Sequence, residues 1–152
     1  MPGKQKRMTE VHAAMRASAE RVFAELADGW AYVGWVVGAA HIRDVDASWP
    51  EVGSKIYHKV GVWPFEVSDY TESLECEPDR RLLLRARGWP LGEASVRIEM
   101  VDVADGCDIT IREKPVAGPA RLLPTPVADP LLEVRNRECL RRLAYLAEGH
   151  AR

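Results

Sequence analysis

Very little in this 152-residue chain invites crosslinking. Its three cysteines, Cys76, Cys107 and Cys139, are odd in number and far apart, and no CxxC pair occurs. A zinc ribbon and a dense disulfide framework are therefore excluded. The thiols read as three small buried hydrophobes in a reducing cytoplasm. Long apolar runs are missing too. The longest, Trp30 to Ala40, has eleven residues, whereas a spanning helix needs about 20. No transmembrane segment is expected. Residues 1–8 hold Lys4, Lys6 and Arg7 with no apolar stretch behind them. They are expected to be a disordered tail rather than a secretory signal. Charge of one sign is also lacking. The formal net charge is −2, so no basic field exists to hold nucleic acid. Finally, GxSxG, HExxH, P-loop and GxGxxG signatures are all absent, which removes the commonest sequence-visible chemistries.

What is present suits one globular domain over residues 9–149. The apolar fraction is 47% and the charged fraction 29%, enough to build a single core without staples. Thr9 to Ala17 alternates as a strand, with Val11, Ala13 and Met15 on one side. Ser18 then caps a helix through Ala27 whose apolar face is Val22, Phe23 and Leu26. Trp30 to Val37 reads as a second short helix ended by Gly38. Strand-like runs follow at His41–Trp49, Lys55–Val62, Glu66–Cys76, Arg81–Arg87, Ala94–Val103 and Cys107–Lys114. Asp105-Gly106 supplies a hairpin turn. Five prolines between Lys114 and Pro130 predict an irregular loop there. From Leu131 to Glu148 the period becomes helical, with Leu132, Asn136, Cys139, Leu140, Leu143, Leu146 and Ala147 on one face. Arg135, Arg137, Glu138, Arg141 and Arg142 fall on the other, and Gly149 follows as a stop.

This order, with three segments in it, resembles the START-like (SRPBCC) superfamily. The segments are ASAERVFAELAD (Ala17 to Asp28), CEPDRRLLLRA (Cys76 to Ala86) and NRECLRRLAYLAEG (Asn136 to Gly149). That superfamily includes birch-pollen-allergen-like and polyketide cyclase/dehydrase-like proteins. The resemblance covers about Thr9 to Gly149. It implies an α+β helix-grip fold: a strongly twisted antiparallel sheet wrapped around a long C-terminal helix, with two short helices after the first strand. It also implies a cavity for a hydrophobic or amphipathic small molecule, lipid-like or polyketide-like. It names no ligand, because the fold hosts carriers, cyclases and regulators alike.

Three polar residues share parity or helix face with the predicted core. His58 alternates with Ile56 and Val60, Glu113 with Ile109 and Ile111, and Asn136 lies on the apolar side of the last helix. Polar groups aimed inward are costly unless paired. They either satisfy one another in a filled core or line a cavity and orient a ligand. His58 and Glu113 are also the candidate catalytic residues, should the protein be a cyclase or dehydrase using an acid–base pair. Trp30, Tyr32 and Trp35 form an aromatic cluster suited to either core or cavity wall. Three Trp-Pro pairs punctuate strand ends, at Trp49, Trp63 and Trp89. In a meander, Trp63 and Trp89 share one end of the sheet, with Trp49 at the other. Trp63, Phe65, Trp89, Leu91, Leu122 and Leu123 would then form an apolar rim, with the proline loop as a lid. His12, His41, His58 and His150 show no metal-like spacing, so neither metal nor cofactor is expected. A soluble binding protein is the first reading, the cyclase/dehydrase-type enzyme the second, and a module docking on a protein or membrane the third.

Overall fold

The structure, a computed structural model, describes residues 8–60, 64–88 and 92–149, the side chain of Val60 aside. Strand β1 (Thr9–Met15) leads into helix α1 (Ala19–Ala27). The Ser18 hydroxyl accepts from Arg21 N at 3.2 Å, closing the N-terminus of α1. At its far end Asp28 turns the chain by accepting from Trp30 N at 3.1 Å. A 3-10 turn (Gly29–Ala31) and a single helical turn, α2 (Tyr32–Trp35), follow. The second helical segment is thus shorter than the expected Trp30–Val37, because Val36 is already extended.

Six further strands run as a meander: β2 (Ala39–Val45), β3 (Lys55–Val60), β4 (Val67–Glu77), β5 (Arg81–Gly88), β6 (Gly92–Val103) and β7 (Gly106–Ala117). Every pairing is antiparallel, in the order β1-β7-β6-β5-β4-β3-β2. The β6–β7 hairpin forms where expected, but its two turn residues are Ala104 and Asp105: Val103 pairs with Gly106, so Gly106 opens β7 rather than completing the expected Asp105-Gly106 turn. Strand β2 stops at Val45 rather than Trp49. The rest of that run is a turn in which the buried Trp49 indole donates to Leu26 O at 3.1 Å. Trp49 therefore plugs the end of the core opposite to that where β5, β6 and β7 carry Gly88, Gly92 and Ala117.

The segment expected to be an irregular proline loop is the clearest correction. Strand β7 continues through Pro115 to Ala117, a 3-10 turn covers Pro119–Leu122, and helix α3 spans Thr125–Gly149. Pro126 sits in the first turn of α3, where no backbone N–H is needed. Pro130 is a true helix-interior proline. It removes one hydrogen bond but does not stop a helix held by packing further along.

Helix α3 lies across the sheet against β1, α1 and α2. Leu140 and Leu143 are buried on its inner face, facing a core that includes Val22, Ile98, Ile109 and Ile111. Arg135 departs from the sequence reading: it is half-buried, with its guanidinium turned toward Glu113 and the Val37 carbonyl. Cys107 and Cys139 are buried free thiols and Cys76 is half-buried. Burial pushes the Cys107 thiol up to about 11. No helix among the described residues is long and apolar enough to cross a membrane.

Candidate functional site

Inward positions along the central strands lose bulk toward one end of the sheet. Strand β5 runs Leu82, Leu84, Ala86, Gly88; β6, read in the opposite direction, runs Met100, Ile98, Val96, Ala94, Gly92. On β7 the sequence is Ile109, Ile111, Glu113, Pro115. The large residues of each series fill the core. The small ones leave a cavity of about 500 Å³, roofed by Ala128, Leu131, Leu132 and Arg135 of α3 and walled by Val36 to Ala39. Such a volume suits a drug-sized ligand. Gly92 is fixed by geometry as well as size: its φ is +128°, and a side chain there would collide with the Ala117 carbonyl.

Two polar groups of residues break this apolar lining. In the first, β4 brings Thr71 next to Ile56 and α2 brings Tyr32 above it. Thr71 Oγ1 lies 3.0 Å from Tyr32 Oη and 2.9 Å from His58 Nε2. The Tyr32 and His58 rings stack at 5.7 Å with an interplanar angle of 5°. Burial pushes the His58 pKa down, against the opposing carboxylate of Asp69, and the same desolvation pushes the Tyr32 phenol up. Both residues are thus neutral at neutral pH.

The second group surrounds Glu113. Arg135 Nη1 donates to its two carboxylate oxygens at 3.2 and 3.4 Å, and Asn136 Nδ2 reaches Oε2 at 3.5 Å. Arg135 Nε donates to Val37 O at 2.9 Å, which ties α3 to the wall of the cavity. Burial disfavours the Arg135 charge, but the Glu113 carboxylate and its other neighbours outweigh it, and its pKa stands above the ordinary value. At the rim, Arg87 Nε lies 3.0 Å from Glu93 and 3.5 Å from Asp69.

The site residues expected from sequence divide as follows. Tyr32, His58 and Glu113 border the cavity. Asn136 is buried beside Glu113. Trp35 is buried behind the wall, edge-on to Tyr32 at 5.5 Å. Trp30 is 58% exposed and Phe65 83% exposed, and neither borders the cavity. Trp63, Trp89 and Leu91 lie outside the described residues. His58 and Glu113 are not brought together: no hydrogen bond or ion pair joins them, and each serves its own network. Two further residues of the site, Thr71 and Arg135, are not among those the sequence pattern singles out. Thr71 carried a signal, since Asp69, Thr71 and Ser73 form an inward polar series opposite His58 and Ile56. Among the described residues no cluster of side chains suits a metal.

No family model and no curated protein matches this chain. Solved structures do. A protein from Rhodobacter sphaeroides superposes with a TM-score of 0.74 at 18% identity, over 98% of this chain and 96% of that one. The fold is START-like. The di-domain ARO/CYC StfQ of the steffimycin biosynthetic pathway shares it, with a TM-score of 0.72 at 13% identity over 95% of this chain. So does DynU16, from the dynemicin biosynthetic locus, at 0.64 and 21% identity over 93% of this chain. This chain spans about half the length of each of these two, 51% of StfQ and 48% of DynU16. The seven-stranded twisted sheet and its long C-terminal helix are the helix-grip arrangement the sequence implied.

Proposed function

We propose that this START-like domain is a soluble binding protein that holds a hydrophobic or amphipathic small molecule, polyketide-like or lipid-like, between its sheet and α3. One observation carries the reading: the inward series Leu84, Ala86, Gly88 and Ile98, Ala94, Gly92 shrink together where α3 begins, leaving an apolar cavity with two polar groups in its wall. A core selected for stability alone would fill that volume, since empty space costs about 24 cal/mol per Å³. The likeness to StfQ of the steffimycin biosynthetic pathway and to DynU16 of the dynemicin biosynthetic locus supports a small-molecule ligand. An acid–base reaction by a His58–Glu113 pair has less support, because Glu113 is engaged by Arg135 and His58 by Thr71.

Native mass spectrometry of protein purified from its own host tests the reading. A discrete small-molecule adduct, lost on unfolding, is the expected result. Failure to bind any member of a panel of hydrophobic ligands, in a folded sample, would contradict it. The same panel tests the rim: ligands should quench Trp63 or Trp89 fluorescence, and Trp63→Phe and Trp89→Phe should each remove part of that signal.

A further inference from the structure

Thr71 stands between two partners and has one proton to give. A hydroxyl donates once and accepts twice, while Tyr32 Oη at 3.0 Å and His58 Nε2 at 2.9 Å both claim it. Two arrangements use the Thr71 proton within the triad; a third, in which Tyr32 and His58 both donate to Thr71, leaves that proton with no acceptor among the three. If His58 carries its proton on Nδ1, Thr71 donates to Nε2 and Tyr32 donates to Thr71. The Tyr32 oxygen then offers only lone pairs to the cavity. If His58 carries its proton on Nε2, that N–H donates to Thr71 and Thr71 donates to Tyr32. The Tyr32 proton is then free for the cavity.

In most histidines the bond made by the second ring nitrogen fixes the tautomer. Here His58 Nδ1 has no hydrogen-bond partner among the described residues. No hydrogen bond on that side locks either arrangement; the residue's own backbone and the Asp69 carboxylate bias the ring without fixing it, and the choice passes along Thr71 to Tyr32. All three side chains border the cavity, and the stacked Tyr32 and His58 rings hold their distances to Thr71. We propose that Tyr32, Thr71 and His58 form a reversible hydrogen-bond wire, through which one cavity hydroxyl accepts from an alcohol or phenol and donates to a ketone of the same skeleton. This rests on the cavity-binding reading above. Switching requires loss of the proton on Nδ1 and gain of one on Nε2 during transient exposure of the buried ring to water, turns two hydroxyl rotors, and leaves net charge unchanged.

The test reads the His58 tautomer directly, by nitrogen-15 NMR of histidine-labelled full chain at pH 7.5, saturated in turn with 2-naphthol and with 2-acetylnaphthalene. The wire predicts the Nδ1–H form with the naphthol and the Nε2–H form with the ketone. It also predicts affinities within about tenfold of each other, since each probe keeps its hydrogen bond. Thr71→Val, which removes the shared hydroxyl at nearly constant volume, should give one tautomer with both probes. The wild-type readout stands alone if that variant does not fold. Binding of both probes with an unchanged wild-type tautomer overturns the wire and spares the cavity reading. Saturable binding of neither probe overturns the cavity reading, and the wire with it.

Discussion

At the scale of single residues, the site is set by which buried charges have partners. Glu113 is 3% exposed and depends on Arg135, which reaches it from a different element. Arg135→Met should leave that carboxylate buried without its cation and cost about 3 kcal/mol of stability. Adding Glu113→Gln should recover part of the loss, as urea midpoints of the two single variants and the double variant will show. His58 gives a pH dependence of known sign. Its folded pKa lies below the ordinary 6.5, chiefly through burial, despite the opposing carboxylate of Asp69; Arg43 adds to the lowering. The unfolded chain therefore binds more protons in acid. Stability is full above about pH 6.5 and falls as pH drops from there toward the lower folded value. His58→Gln should flatten that part of the stability profile. Strand parity alone placed His58 and Glu113 inward. It could not place Arg135, which lies one position from Asn136 at the edge of the helix's inner face. Beside Arg137, Arg141 and Arg142 it reads as solvent-facing, and only a buried carboxylate on another strand turns it in.

At the scale of elements, local pattern worked where burial alone shapes the chain. The alternation in β6 and β7 and the 3.6-residue period of α3 gave strands and a helix in the right order and pairing. Leu140 and Leu143 are 1% and 0% exposed and do not border the cavity. Each should cost roughly 2–5 kcal/mol when changed to alanine, with no change in ligand affinity. The proline-rich stretch misleads because a proline breaks structure only where its missing N–H is needed. Pro115 ends up near the end of a strand, Pro126 at a helix start, and only Pro130 opposes its surroundings. That residue weakens the part of α3 that roofs the cavity. Pro130→Ala should add up to about 3 kcal/mol of local helix stability. Amide exchange over residues 127–132 should slow, and so should ligand entry; unchanged exchange would show that this half of α3 is already fixed by packing.

At the scale of the whole molecule, the fold and the cavity have different origins in the sequence. The fold follows from the order of the elements, which is legible from periodicity. The cavity follows from a trend across three strands: bulk falls along β5, β6 and β7 at positions that only the register aligns. Each strand by itself shows only an alanine and a glycine, or on β7 a proline, so the trend stays hidden until pairing is known. A ligand that fills the space stabilises only the folded state. At a hundred times its Kd it should add about 2.7 kcal/mol, a rise in Tm of about 5–10 °C for a chain of this size. The most direct test fills the space from within, by Ala94→Phe. Titration of wild type and variant with 8-anilinonaphthalene-1-sulfonate, beside their urea midpoints, reads occupancy and packing together. The account predicts one saturable site in the wild type, weakened at least about tenfold in the variant, with the urea midpoint unchanged or raised. Equal dye binding by both proteins, or a loss of about 1–3 kcal/mol in the variant as in an already filled core, would contradict it.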